Sequence, residues 1–231
     1  MHKSIECLGC TNQNCLIRYC SPEWQQKIGH KKNVPNYPKD QHVIIEDSLV
    51  MGAYFILDGK VKVISSNCRG KEQTVRLASA GHMLGHIAMG QETYPIGAVA
   101  LEDSRICFID NQTLFEAFME NPMFTFQVML FYSRELRKSE LRTKCLAQMN
   151  NEEKVILGLI YLMESFGLNE ADQTINIRLS RREIADLIGT NPEQVSRVLP
   201  YLKEKKIISI TDKRIQILDK ENLYAKISAY L

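Results

Sequence analysis

Apolar and polar residues change rhythm twice along this chain, and the changes divide it. Between residues 42 and 109 the apolar positions fall in short runs, at 42–45, 53–57, 60–64, 73–77, 98–101 and 104–109, separated by turn residues. Runs of that length read as strands, and this many of them indicates a small β-barrel or β-roll. Asp58-Gly59 between two runs is a hairpin signal. Helices are expected over 24–32 and 112–120, the second interrupted by Asn121-Pro122. Over 123–148 the period becomes helical. There Met129, Tyr132, Leu136, Ser139, Thr143 and Leu146 recur at alternating steps of three and four, close to a heptad seam. A helix this long with so mixed a seam fits an interface between two copies better than a face resting on its own domain.

Past a hinge at Asn150-Asn151 the helical rhythm resumes over 152–166 and stops at Gly167. The stretch that follows is the most informative in the chain. Ser180 is a good N-cap, with Glu183 three residues on to complete a capping box, and Ile184, Leu187 and Ile188 then recur at helical spacing. Gly189 supplies a tight reversal, Thr190 or Asn191 caps a second helix, and Pro192 falls at its first position. Val195, Val198, Leu199 and Leu202 turn inward, leaving Glu193, Gln194, Ser196, Arg197 and Lys203 outside. Two short helices around a glycine turn, the second apolar on one side and polar on the other, form a helix-turn-helix. Residues 207–210 and 214–218 read as two strands joined at Asp212-Lys213. Lys203, Lys205, Lys206, Lys213 and Arg214 crowd their rim. That is a winged helix with cations placed for phosphates.

Composition adds two constraints. A net charge of +2 over 231 residues is too small to argue for nucleic acid, so that case rests on local clustering. No apolar run approaches the length of a membrane helix, and residues 1–10 lack the core of a secretory signal, so a cytoplasmic protein without membrane contact is expected. Of seven cysteines, Cys7, Cys10, Cys15 and Cys20 fall within fourteen residues, while Cys68, Cys107 and Cys145 are scattered. A disulfide framework does not suit that setting, and four close thiols call for another explanation, such as a metal. No paired carboxylates or nucleophile–base set accompany a glycine-rich loop, so no enzyme is expected.

The layout is thus α+β: a cysteine-rich segment (1–22), a β-roll (23–120), a dimerisation helix (121–150) and a winged helix-turn-helix (151–231). It resembles the bacterial Crp/Fnr regulators, whose roll is of the cyclic-nucleotide-binding kind. Asp58-Gly59-Lys60-Val61 and Gly81-His82-Met83-Leu84-Gly85 look like that family's roll signatures. Two features resemble the oxygen-sensing Fnr branch. Glu193, Ser196 and Arg197 form E-x-x-S-R, similar to the Fnr reading triplet, which implies a TTGAT-like half-site repeated with two-fold symmetry. The chemistry agrees: Arg197 suits guanine, Glu193 suits cytosine N4, and Ser196 is small enough for a thymine methyl. Arg181, Gln194 and Lys203 complete the candidate DNA-contacting set. The resemblance also implies a homodimer and RNA polymerase as partners.

The second feature is the cysteines. Cys7-x2-Cys10-x4-Cys15 lies near the amino terminus, and the strand over 101–109 is similar to the one carrying Fnr's distant fourth ligand, here Cys107. The resemblance implies a [4Fe-4S] cluster on Cys7, Cys10, Cys15 and Cys107, whose loss weakens dimerisation. Zinc accepts four thiolates equally well, and spacing does not separate the metals. Fnr has five residues between its second and third ligands and this chain has four, which keeps Cys20 as an alternate ligand and the four N-terminal cysteines alone as another set. Cys68 and Cys145 are read as bystanders. The cyclic AMP branch places Glu after the G-x-x-G turn and Arg-Ser at the phosphate. Here His86 and Tyr94-Pro95-Ile96 stand there, so cyclic AMP is not expected. His82 and His86 are read as surface turn residues rather than ligands. The alternatives are a regulator of the same type answering to haem, nitric oxide, a metabolite or thiol oxidation, and, remotely, an iron–sulfur electron carrier.

Overall fold

The structure, a computed structural model, describes residues 6–67, 70–86 and 89–230. Cys68 lies outside the described residues. The chain divides into two compact units, residues 1–71 with 75–135, and residues 72–74 with 136–231.

The first unit opens with a 3-10 turn at Leu16–Tyr19 and helix α1 (Pro22–Lys31), which Ser21 caps by accepting from the Trp24 amide. Among the described residues eight strands follow: β1 (Asn36–Tyr37), β2 (His42–Ile44), β3 (Gly52–Asp58), β4 (Lys60–Ser66), β5 (Glu72–Ser79), β6 (Met83–Leu84), β7 (Gly97–Ala100) and β8 (Ser104–Asp110). They form two four-stranded sheets, in the orders β1-β8-β3-β6 and β2-β7-β4-β5. The Asp58-Gly59 turn therefore does not close a hairpin, because β3 and β4 belong to different sheets. Gly59 sits at φ +101°, and a Cβ there would overlap the Ser104 side chain. The dipeptide marks a corner where the chain changes sheets; a local turn signal does not say which strand will be the neighbour.

Because successive strand side chains point to opposite faces, the first sheet serves two cores. Ile56 of β3 and Ile106 of β8 enter the roll's interior with Val61, Val63, Leu84, Tyr94 and Ala98. Ala53, Phe55, Cys107 and Ile109 face the other way. They pack with Leu16, Ile17, Cys20, Trp24 and Ile28, and with α2 (Asn111–Glu120) and the start of α3 (Pro122–Gln148). From α3 this second core takes Phe124, Val128 and Phe131. Beyond Glu135, α3 runs on as part of the second unit. Sequence reading missed the two-residue strands β1 and β6, which are too short to show a period.

The second unit holds α4 (Asn151–Phe166), α5 (Arg181–Ile188), α6 (Pro192–Glu204), β9 (Ile208–Thr211), β10 (Arg214–Ile217) and α7 (Lys220–Ala225). Capping boxes close the starts of α4, on Asn150 and Glu153, and of α5, on Ser180 and Glu183. Gly189 ends α5 in the left-handed conformation, and Asn191 rather than Thr190 caps α6. The β9–β10 hairpin turns at Asp212 and Lys213, both at positive φ as the tightest hairpins require. Two features were not foreseen: α7, which buries Leu223, and Pro200 inside α6, which has no N–H to offer the Ser196 carbonyl.

Candidate functional site

The cysteine site is built on the outer face of the first sheet. In β8 the alternation that sends Ile106 into the roll sends Cys107 out, opposite Phe55 of β3. The N-terminal segment lies across this face. Asn12 fastens it there, its side-chain amide donating to the carbonyls of Ile56 and Leu57, each at 3.0 Å. The Cys10 amide donates to the Cys7 carbonyl at 3.1 Å, closing the turn between two cysteines, and Arg18 donates to the Cys10 carbonyl at 3.3 Å. Downstream, Leu16 and Ile17 are buried in the core that holds Phe124, Val128 and Phe131 of α3. The Ser21 amide donates to Asn121 Oδ1 at 2.8 Å, and Trp24 Nε1 donates to Glu120 Oε2 at 2.9 Å. Gly29 lets the segment pass over α1. A Cβ there would come within 3.1 Å of the Cys7 nitrogen. A glycine inside a helix costs about 1 kcal/mol against alanine, which a close backbone approach justifies.

Together these elements form a hollow lined by Cys7, Cys10, Cys15 and Cys107. Asn12, Ile17, Phe55, Ile56, Leu57 and Ile109 complete its wall with two cations, Arg18 and Lys32. Lys32 is only 8% exposed, and its Nζ lies 3.1 Å from Cys7 Sγ. Burial pushes the Cys7 and Cys107 thiols up, with Lys32 pulling both partly back. Burial likewise pushes Cys15 up to about 12. Burial opposes the charge on Lys32, but the sulfurs of Cys107 and Cys7 outweigh it and its pKa lies above the usual lysine value. Among the described residues no three metal-binding side chains converge on one point as the ligands of a single ion do. The four cysteines nonetheless line one hollow. Four thiols, an apolar wall and two cations fit an anionic metal–sulfur group.

Cys20 does not line this hollow. It packs in the apolar core beside Trp24, 5% exposed, and burial pushes its thiol up to about 12. Cys145 is fully buried on α3. Lys32 and Gly29 went unnoticed in the sequence. The glycine inside a helical stretch was a signal that could have been read, whereas the lysine, one of a His-Lys-Lys run, carried none.

His86 is not the surface residue expected. Its ring meets Phe131 and Tyr132 of α3 edge-on, at 5.0 and 5.2 Å between centroids. Burial, with Arg76 beside it, drives its pKa down to about 3. The Tyr132 hydroxyl donates to the His86 carbonyl, and Arg76 pairs with Glu135 at 2.6 Å. His82 does sit in a turn, its Nδ1 accepting from the Ser79 amide at 3.0 Å.

On α3, Met129, Leu136, Ser139 and Thr143 are exposed and Leu146 is half-buried. Tyr132, half-buried, is turned to His86. The exposed apolar stripe includes Met123, Phe126 and Leu130, which the heptad count left out. In the second unit, α6 buries Val195, Val198, Leu199 and Leu202 and exposes Glu193, Ser196 and Arg197 side by side. Gln194 is half-buried and accepts a hydrogen bond from Arg197. Arg181, Lys203, Lys205, Lys206, Lys213 and Arg214 are exposed around this face. Among the described residues no helix is long and apolar enough to cross a membrane.

A sensor-type roll followed by a long helix and a winged helix-turn-helix with a polar reading face defines a class, the transcription regulators that join an effector domain to a DNA reader. Known proteins agree. Residues 34–121 match the cyclic nucleotide-binding domain and residues 153–226 the Crp-like helix-turn-helix domain. The chain is 30% identical to the transcriptional activator protein Anr of Pseudomonas aeruginosa, over 74% of this chain and 71% of that one. It is 25% identical to the fumarate and nitrate reduction regulatory protein of Vibrio cholerae, over 95% and 89%. The structure of FixK2 from Bradyrhizobium japonicum superposes with a TM-score of 0.75 at 22% identity, over 84% of this chain and 96% of that one. The chain belongs to the Crp/Fnr family of DNA-binding transcription regulators. Members of this family bind DNA as dimers, generally with RNA polymerase.

Proposed function

We propose that this regulator senses oxygen through a [4Fe-4S] cluster held by Cys7, Cys10, Cys15 and Cys107, and that the cluster gates dimerisation and so DNA binding. The observation that carries the reading is the hollow, where three cysteines of one segment and a fourth from a distant strand line the same space. Cys20 and Cys145 lie outside it. Similarity along 95% of the chain to a protein named for fumarate and nitrate reduction suits an oxygen signal, since both compounds replace oxygen as electron acceptors.

When bound, the cluster supplies an oxygen-labile tie between the N-terminal segment and β8. The rest is done by the chain. Cys15 adjoins Leu16, which shares a core with Phe124, Val128 and Phe131 at the root of α3. Release of Cys15 loosens that packing, and α3 carries the change along its exposed stripe to a second copy. Two reading helices about 34 Å apart are needed for one inverted repeat, so dissociation abolishes specific binding. Glu193, Ser196 and Arg197 read a TTGAT-like half-site, with Arg181, Gln194 and Lys203 around them.

The test is iron and acid-labile sulfide per chain in protein purified without oxygen, with the absorption spectrum before and after air. About four of each, bleached by air, is the expected result; zinc or no metal overturns it. Cys107→Ala should then lose iron and anaerobic binding to the inverted repeat while keeping its far-ultraviolet dichroism.

A further inference from the structure

We propose that Lys32 is a built-in counter-charge and hydrogen-bond donor of the metal–thiolate centre, holding the Cys7 sulfur and setting the centre's reduction potential. The inference rests on the cluster reading above and goes past the ligands to a residue that neither spacing nor resemblance pointed to.

Lysine is almost never fully buried without a partner, because a desolvated ammonium is costly. Lys32 is 8% exposed, and among the described residues no carboxylate lines the hollow it enters. Its partner is sulfur, Cys7 Sγ at 3.1 Å. The backbone holds it there: the Lys32 amide donates to the Ile28 carbonyl at 2.9 Å at the end of α1, and Ile28 is wholly buried. A cluster in the 2+ state with four thiolates is a dianion, and a fixed cation inside the hollow offsets part of that charge. Arg18 lines the same hollow with its side chain exposed and its guanidinium on the Cys10 carbonyl, so it shields from the rim. Net charge and hydrogen bonds to sulfur are among the levers that set the potentials of such clusters. A cation favours the form with more electrons, so Lys32 raises the potential and slows electron loss to oxygen.

The experiment compares the full-length protein with Lys32→Met, close in shape but without charge or N–H, and Lys32→Arg, purified without oxygen. Iron and sulfide per chain, the midpoint potential of the one-electron reduction and the rate of bleaching in air are measured on each. Lys32→Met should keep its cluster, bleach faster and shift the oxidised-to-reduced ratio about tenfold, a potential lower by ~59 mV, and Lys32→Arg should recover most of the shift. Equal potentials and bleaching rates in three fully loaded proteins overturn the role of Lys32 and leave the cluster standing. If Lys32→Met takes up no iron, loading restored in Lys32→Arg supports the charge role, and an equally empty Lys32→Arg overturns it in favour of packing. An unmodified protein without iron overturns the cluster itself, and this inference with it.

Discussion

Cys15 and Cys20 are five positions apart, and burial raises both thiols to about 12, yet only Cys15 faces the hollow. The short helical turn between them rotates one sulfur toward the sheet and the other into the apolar core. Cys20→Ala should therefore leave iron content unchanged and lower stability by about 1 kcal/mol, whereas Cys15→Ala should lose the iron; metal analysis beside a urea melt separates the two. Spacing in the sequence could not make that choice, because the rotation is set by Leu16 and Ile17 packing against helices far along the chain. Cys107 was more legible. Strand alternation puts it opposite Ile106, though which face the N-terminal segment would cover is a tertiary fact. At the reading helix, Arg197→Ala should cost about 1–3 kcal/mol and relax the choice at a single base pair. Competition with operators varied at each position would show it, and a uniform loss would make Arg197 a phosphate contact.

Among the elements, α3 diverges most from its pattern. The heptad count put Tyr132 in the seam with Met129 and Leu136. The structure commits Tyr132 to His86 and leaves Met123, Phe126 and Leu130 in the exposed stripe. A heptad count records only which residues share a face; it cannot distinguish the side that meets the roll from the side left open. Leu136→Glu should shift the dimer toward monomer in sedimentation without melting the fold, because the side chain is 62% exposed. The enclosed His86 predicts a pH effect with a definite sign. Unfolded histidine takes a proton near pH 6.5, and His86 in the fold only near 3. Between those values the unfolded chain holds the extra proton. The stabilisation is complete above pH 6.5 and drains away below it, by at most about 1.4 kcal/mol per unit. Urea midpoints at pH 7, 6 and 5 should fall less steeply for His86→Gln than for the parent protein.

Taken whole, the chain is almost neutral, with a net charge of +2, so its hold on DNA depends on where the cations stand. Lys203, Lys205, Lys206, Lys213 and Arg214 are all exposed around the reading face. Affinity for the inverted repeat should fall steeply with salt, and Lys203→Ala should reduce the slope of log K against log salt by about one per phosphate contact removed. A salt titration of both proteins checks this. The order of roll, helix and winged reader was visible in the sequence because each has its own period. The second core, shared by the cysteine segment and the root of α3, was not, because it joins stretches a hundred residues apart. One small part of that arrangement bears on how such proteins diversify. Asn12 holds the N-terminal segment by two main-chain carbonyls of β3, an attachment that asks nothing of the side chains at 56 and 57. Mutation can rewrite those side chains without unseating the segment. Any roll whose third strand follows the same course already carries the mounting, so an N-terminal segment held this way is free to be inherited, lost or exchanged between lineages as one piece while the strand beneath it drifts.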